Sequence, residues 1–229
     1  MALFRRRPEQ LESVRPAAAR SQSAQPGIRS WHDFSAGGHY DPDNLGFGAL
    51  VGFDEHLLEP GAGFAAHTHR GVEILSWVLE GELRHEDESG ATLLLRAGTV
   101  LHQSSGAGTR HAETNASAAQ PLRIVQLTVL GGTATPSTRV VRAPVLVPGA
   151  GLLAVLSGKA ELETRGAYLH VVRGSFSITK RYLQPGDSLC LQRTMSLAGD
   201  GEVLLWVPAV PPAGGRAGAP DERLGSTAW

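Results

Sequence analysis

Two short pairs of side chains carry the residue types that bind transition metals. The first pair is His67 and His69, with one residue between them, and the second is His111 and Glu113, spaced in the same way. On a β-strand, side chains two residues apart point to the same face, so each pair presents two metal-ligand groups to one side. Three imidazoles and one carboxylate that converge on one point form a site for a divalent transition metal. The fold must then bring the two pairs together.

The other candidate ligands carry less weight. A lone histidine on a strand is more often a core or surface residue than a ligand, and we assign that ordinary role to five positions: His32, His39, His56, His85 and His170. His102 is a weaker alternative to His111. Glu73 is the alternative carboxylate to Glu113.

Composition places the chain among ordinary globular proteins. Its 229 residues are 41% hydrophobic and 19% charged, and the net charge of −1 gives no general attraction to nucleic acid or to an acidic membrane. Cys190 is the single cysteine, which excludes an internal disulfide framework and a cysteine-rich zinc site, and its strand-like apolar neighbours favour an inert thiol. No apolar run reaches about 18 residues and no apolar stretch follows the basic start, so we expect no membrane span, no secretory signal and a cytoplasmic protein.

Turn residues divide the chain into many short apolar runs, a pattern typical of a β-sandwich or barrel. We predict a loosely ordered, solvated arm over residues 1–28, a metal-binding barrel over 29–132, a linker over 133–150, a second barrel over 151–210 and an irregular tail over 211–229. A weak internal repeat of strand, glycine turn, strand and Leu-x-x-Gly turn links the two β regions and indicates two copies of one barrel. Because the second copy has one histidine and no ligand pair, we expect it to be metal-free.

The motifs resemble the cupin superfamily and, within it, the pirin family. The first cupin motif is matched by Gly61, His67, His69 and Glu73, and the second by His111 and Asn115. The stretches similar to pirins span about residues 30 to 130 and comprise residues 40–42, 46–48, 60–64, 67–70, 73, 78–81, 85–87 and 105–113. The chain departs from the usual pirin pattern at Thr68, Ala112 and Arg96. The first two would point away from a metal on their strands.

The resemblance implies a fold and a ligand set. Cupins are double-stranded β-helix barrels, close to jelly rolls, so the implied fold class is all-β with two cupin barrels in one chain. Pirins hold one mononuclear metal, usually iron, and their ligands fall here on His67, His69, His111 and Glu113. Nickel, copper, manganese or zinc would suit the same donors. Glu73 would then hold a ligand in place or face the substrate.

The resemblance also implies two alternative functions. Some pirins oxidise flavonols such as quercetin with dioxygen. In that chemistry Glu113 or Glu73 would take the proton of the substrate hydroxyl, and the ring would open with loss of carbon monoxide. Other pirins are iron-containing nuclear regulators, which implies a non-catalytic, redox-sensitive protein that acts through a protein partner. The sequence shows no DNA-binding motif, so we expect no direct contact with nucleic acid. A cupin-type isomerase rests on the fold alone.

Overall fold

The computed structural model describes residues 14–131, 135–162, 166–178 and 181–209. Its strands are, in chain order, β1 (Val14–Arg15), β2 (Ser21–Gln25), β3 (Ile28–His32), β4 (Leu50–Leu58), β5 (Gly63–His69), β6 (Val72–Glu80), β7 (Glu82–Asp87), β8 (Thr92–Arg96), β9 (Val100–Ser104), β10 (Thr109–Asn115), β11 (Leu122–Leu130), β12 (Ser137–Val141), β13 (Val145–Val147), β14 (Gly151–Ser157), β15 (Ala160–Leu162), β16 (Ala167–Ile178), β17 (Arg181–Leu183), β18 (Ser188–Leu191) and β19 (Met195–Pro208). A short 3-10 turn covers Ala17–Ala19, and no α-helix occurs in the described ranges. The predicted all-β class is confirmed. Within those ranges no helix is long and apolar enough to cross a membrane.

The chain divides into two compact units. The larger unit comprises Arg20–Ala154 and Trp206–Trp229, and the smaller unit comprises Met1–Ala19 and Val155–Leu205. Both of the metal-ligand pairs lie in the larger unit. The structure of that unit therefore decides whether the two pairs meet.

Two antiparallel sheets build most of the larger unit. The seven-stranded sheet has the order β12-β9-β6-β11-β4-β3-β2, and the four-stranded sheet has the order β5-β10-β7-β8. Apolar side chains from both sheets form one buried cluster, whose members are Ile28, Leu58, Val78, Leu83, Leu95, Leu101, Leu122 and Ile124. The face of the seven-stranded sheet that carries these side chains is called its inner face below. Burial of these side chains drives the two sheets together.

Two glycines allow close approaches that the site requires. Gly81, with a φ of 81°, makes the turn from β6 in the seven-stranded sheet to β7 in the four-stranded sheet. A Cβ at Gly81 would lie 2.6 Å from the carbonyl oxygen of Pro121. A Cβ at Gly63 would collide with the carbonyl oxygen of Glu113, so the absence of a side chain lets β5 lie close against β10. Gly63 therefore lets the two strands that carry the candidate ligands pack closely, and Gly81 places β7 in the same sheet.

The smaller unit is also antiparallel, with strand order β1-β18-β16-β19, β17 paired to β16 and β15 paired to β19. Leu169, Val171 and Leu197 are fully buried in it. The carboxylate of Asp187 accepts hydrogen bonds from the backbone N–H groups of Ala17 and Gln184 and so stabilises local turns.

The organisation of the ends and the linker differs from the sequence-based expectation. The predicted loosely ordered arm over residues 1–28 contains two strands in its described part: β1 pairs with β18, and β2 forms a hairpin with β3. The predicted linker over 133–150 contains β12, paired with β9, and β13, paired with β14. Residues 1–13 and the predicted tail at 211–229 lie outside the described residues. Edge strands such as β2 need no alternation of apolar and polar residues, so residues 21–25 show no strand period.

Candidate metal centre

Neighbouring strands β5 and β10 bring the two ligand pairs together. In their antiparallel register His67 lies opposite His111, and His69 lies opposite Thr109. Side chains of directly opposed residues are in contact range, and His69 shares the face of His67 because the two are two residues apart. The three imidazoles therefore meet on one side of the four-stranded sheet.

The three histidines form a compact cluster. One ring nitrogen from each of His67, His69 and His111 lies within 4.8 Å of the others, so the cluster could hold a metal ion. The Nε2 atoms of His67 and His111 are 3.0 Å apart. Two nitrogen ligands at right angles around an ion at about 2.1 Å are also separated by about 3.0 Å, so this spacing fits adjacent positions of an octahedral ion.

Hydrogen bonds on the far side of two rings favour the nitrogen tautomer that a metal needs. The Nδ1–H of His67 donates to the carbonyl oxygen of Ala65 at 2.7 Å, which leaves the Nε2 lone pair free to face the cluster. The Nδ1 of His111 lies 3.0 Å from the Nε2 of His85. When the Nδ1–H of His111 donates to the Nε2 of His85, the lone pair on the Nε2 of His111 is free to bind a metal in the same way.

Burial keeps two of the cluster histidines neutral. Desolvation, followed by the charge of His67, lowers the pKa of His69 to about 4. Desolvation, with smaller contributions from the neighbouring histidines, lowers the pKa of His111 to about 2. Both rings are therefore unprotonated at neutral pH. No proton has to leave them before they bind a cation.

Glu113 is held beside the cluster in a buried position. It follows His111 by two residues on β10, is 1% exposed, and lies at a register shift in the pairing of β10 with β5. Its carboxylate accepts hydrogen bonds from Ser76 Oγ at 3.2 Å and from Gln126 Nε2 at 3.1 Å. Burial raises the pKa of Glu113 to about 7, and the two hydrogen bonds oppose that rise. Its oxygens are not part of the compact cluster of ring nitrogens.

The structure places Glu73 away from the cluster, which corrects its predicted role. Ser76 lies on the inner face of β6, so Glu73, three residues earlier, lies on the opposite face. There Glu73 Oε2 is 2.6 Å from Nε2 of His102, whose Nδ1 faces the guanidinium of Arg139 at 2.9 Å. Glu73 therefore cannot take a proton at the cluster. His102, the weaker alternative to His111, lies on the same outer face.

Sequence reasoning missed three residues that support the site. His85 is 1% exposed and contacts His111, although we expected an ordinary core or surface role for it. Ser76 and Gln126 hold Glu113, and Gln126 also donates to Ser76 Oγ at 2.9 Å. The available signal was the presence of polar residues near the middle of two mostly apolar strands, β6 and β11. The strand β7 that carries His85 could not be placed beside β10 from the sequence.

The comparison with known proteins identifies the family. The family model for pirins matches residues 13–129, a range that contains the whole cluster and Glu113. The chain belongs to the pirin family. Its fold agrees with that assignment, and the predicted pair of cupin barrels is confirmed.

Three relatives illustrate what this pirin resembles. A Mycobacterium tuberculosis protein, provisionally named a quercetin 2,3-dioxygenase, is 36% identical over 182 residues, or 78% of this chain and 72% of its own. Quercetin 2,3-dioxygenase of Escherichia coli is 37% identical over 117 residues, or 51% of each chain. The crystal structure of the Escherichia coli pirin YhhW in complex with nickel(II) has a TM-score of 0.76 at 27% identity, covering 87% of this chain and 100% of that one.

The residues of this pirin fit a bound transition metal. The donor set is imidazole with a nearby carboxylate, which suits iron, nickel, copper, manganese or zinc. The Nε2 atoms of His67 and His111 are 3.0 Å apart, and the hydrogen bond from the Nδ1–H of His67 to Ala65 orients its ring. Both observations fit a preformed ligand set. Among the residues that the structure describes, this is the one cluster of its kind.

Proposed function

We propose that this pirin is a metal-dependent dioxygenase of flavonol-like small molecules. The observation that carries the proposal is the convergence of three imidazoles beside a buried carboxylate. Support comes from two relatives whose names include quercetin 2,3-dioxygenase. The substrate class rests on those names and on the donor set together.

We assign His67, His69, His111 and Glu113 as the metal ligands. The histidines already share a common point, and Glu113 is the carboxylate on the same strand and face as His111. Iron is the metal that we favour, and the nickel in the Escherichia coli pirin shows that a pirin fold also accepts that ion. A divalent ion at this site would supply Lewis-acid and redox chemistry.

The protein's own contribution is to position groups and to manage one proton. A flavonol must lose its hydroxyl proton before its ring can donate electrons to dioxygen. Glu113 is the buried carboxylate beside the cluster, and its oxygen that does not bind the metal is placed to accept that proton. Ser76 and Gln126 fix the orientation of its carboxylate through their hydrogen bonds. Because Glu73 lies on the opposite sheet face, Glu113 is the carboxylate that we assign to this role.

We also propose that the smaller unit is metal-free and structural. Its described residues contain no cluster of potential ligands comparable to the one on β5 and β10. The carboxylate of Asp187 is occupied by backbone N–H groups. Burial raises the pKa of the Cys190 thiol to about 11, which disfavours the thiolate form that binds metals.

The test is flavonol turnover under air. Loss of flavonol absorbance should be followed with iron-, nickel- and copper-loaded protein, with the His69→Ala variant as the matched control. We expect at least one metal to support turnover that the variant lacks. Equal consumption by wild type and variant would show adventitious metal chemistry. No consumption with any metal would favour the alternative of a non-catalytic, redox-sensitive regulator.

A further inference from the structure

Three side chains at one end of the seven-stranded sheet form a hydrogen-bonded chain apart from the histidine cluster. Ser23 Oγ lies 2.8 Å from His32 Nε2, and His32 Nδ1 lies 2.7 Å from Asp54 Oδ1. The strands that carry them, β2, β3 and β4, are successive neighbours, and His32 lies directly opposite Asp54. All three side chains lie on the inner face of the sheet.

The order of these groups fixes the position of each proton. An ionised carboxylate only accepts hydrogen bonds, so the Nδ1–H of His32 donates to Asp54. The Nε2 lone pair of His32 then accepts the hydroxyl proton of Ser23. Nucleophile, base and orienting carboxylate thus have the mutual contacts of a serine hydrolase triad.

The exposure of the three groups suits these roles. Ser23 is exposed, whereas the side chains of His32 and Asp54 are 13% and 18% exposed. The hydroxyl can therefore meet a ligand from solution while its two partners are held within the protein. A merely structural hydrogen bond would not require the serine to be accessible.

The edge position of β2 adds a hydrogen-bond donor next to the hydroxyl. Gln25 and Ile28 flank a two-residue turn, so hydrogen-bonded pairs alternate along the hairpin and include Ser23 with Ser30. The backbone N–H of Ala24 therefore points away from β3, on the strand that ends the sheet order. In α/β-hydrolases the N–H of the residue after the nucleophile helps to hold the acyl oxyanion.

We propose that Ser23, His32 and Asp54 form a nucleophilic site that hydrolyses aryl esters. Ser23 Oγ bonds to the acyl carbon as its proton passes to His32 Nε2. The bond from that carbon to the phenolic oxygen breaks, and the phenol leaves with the proton from His32. Water then attacks the acyl carbon and gives a proton to His32, the acid is released, and the proton returns to Ser23. Asp54 keeps His32 in the required orientation and tautomer.

Aryl esters fit the site as its substrate class for two reasons. His32 is the proton donor that the site offers to the leaving oxygen, and a phenol, which is far more acidic than an alcohol, leaves readily with that assistance alone. The second reason rests on the proposed function. When a flavonol ring opens with loss of carbon monoxide, the carbon next to the ring oxygen keeps that bond and gains an oxygen from dioxygen, which makes an aryl ester. The site would hydrolyse the product of the oxidation.

A second serine–histidine pair on the same face provides a matched control. Ser30 Oγ lies 2.7 Å from Nδ1 of His56. Ser30 and His56 are 5% and 6% exposed, so this hydroxyl is not accessible to an ester in solution. Ser23, on the adjacent strand, differs in three ways: it is exposed, it contacts Nε2 rather than Nδ1 of its histidine, and that histidine contacts a carboxylate.

The experiment measures hydrolysis of p-nitrophenyl acetate and covalent labelling by a fluorophosphonate, using the full chain with a chelator in the assay. We expect label on Ser23, and a loss of hydrolysis of at least about tenfold in Ser23→Ala and in Asp54→Asn. Ser30→Ala should keep both signals. Hydrolysis by Ser23→Ala within about twofold of wild type, or label on a different residue, would overturn the proposal. Because the chelator removes metal chemistry, failure here leaves the flavonol assay unaffected, and the reverse also holds.

Discussion

Protonation of Glu113 should make metal binding depend on pH in a way that one substitution removes. The carboxyl is buried and has a pKa of about 7 in the metal-free protein. A metal binds the ionised form, so below that pKa a proton must leave when the ion enters. His69 and His111, with pKa values of about 4 and about 2, are already neutral near pH 7 and release no proton.

The magnitude follows from the ionised fraction of Glu113. With a pKa of about 7, about one-eleventh of the carboxyl is ionised at pH 6 and about ten-elevenths at pH 8. The share of the pH dependence that belongs to Glu113 is therefore about a tenfold loss of affinity from pH 8 to pH 6. This corresponds to about 1.4 kcal/mol.

Competition with a chromophoric chelator for nickel(II) at the two pH values measures this effect. Calorimetry in buffers of different ionisation enthalpy counts the released protons. The Glu113→Gln variant keeps the shape and the hydrogen-bonding neighbours Ser76 and Gln126 but cannot ionise. The affinity of the variant for nickel(II) should be weaker than that of wild type at pH 8. The factor by which its affinity falls between pH 8 and pH 6 should be about tenfold smaller than the wild-type factor. A variant with the wild-type pH dependence would show that Glu113 is not the titrating ligand.

Three further predictions concern the carboxylates, the second unit and stability. Glu113→Gln should lower metal content at pH 8 far more than Glu73→Gln, because Glu73 lies on the other sheet face; elemental analysis showing the reverse would move the carboxylate ligand to Glu73. Replacing the three cluster histidines by alanine in the full chain should leave no stoichiometric metal, and metal retained by that variant would place a second site elsewhere. Burial lowers the pKa of His56 from 6.5 to about 4. Between these two values the unfolded chain binds a proton that the folded chain does not, so the free energy of unfolding decreases as the pH is lowered from 6.5 to about 4. At about 1.4 kcal/mol for each pH unit below 6.5, wild type should lose about 2 kcal/mol more than His56→Gln between about pH 7.5 and pH 5 in urea unfolding. Equal losses would refute this assignment.

The local geometry of the site could be predicted from the sequence because it depends on strand alternation. His67 and His69 share a face, and so do His111 and Glu113, since each pair is two residues apart. The meeting of the two pairs depends on the pairing of β5 with β10, which joins residues forty or more positions apart. Spacing along the chain does not determine that pairing. The resemblance to pirins supplied it.

The errors have the same origin. Glu73 follows the cupin motif in sequence, but its side-chain face depends on the register of β6, in which Ser76 faces Glu113. The contact of His85 with His111 could not be predicted, because the pairing of β7 with β10 does not follow from spacing along the chain. The strand at Ser21–Gln25 was missed because an exposed edge strand of serine, glutamine and alanine has no apolar period. Each miss concerns which strands are neighbours, and that is set by the packing of the whole unit.

Labelled dioxygen provides the most direct test of the central proposal. Metal-loaded protein should be mixed with quercetin under ¹⁸O₂, and the organic product examined by mass spectrometry beside the His69→Ala variant. A dioxygenase inserts both atoms of one dioxygen molecule. The wild-type ester, or its two hydrolysis products taken together, should therefore carry two labelled oxygens, with release of carbon monoxide, and the variant should form none. A total of one label or none, or equal product from wild type and variant, would contradict a dioxygenase centred on His67, His69, His111 and Glu113.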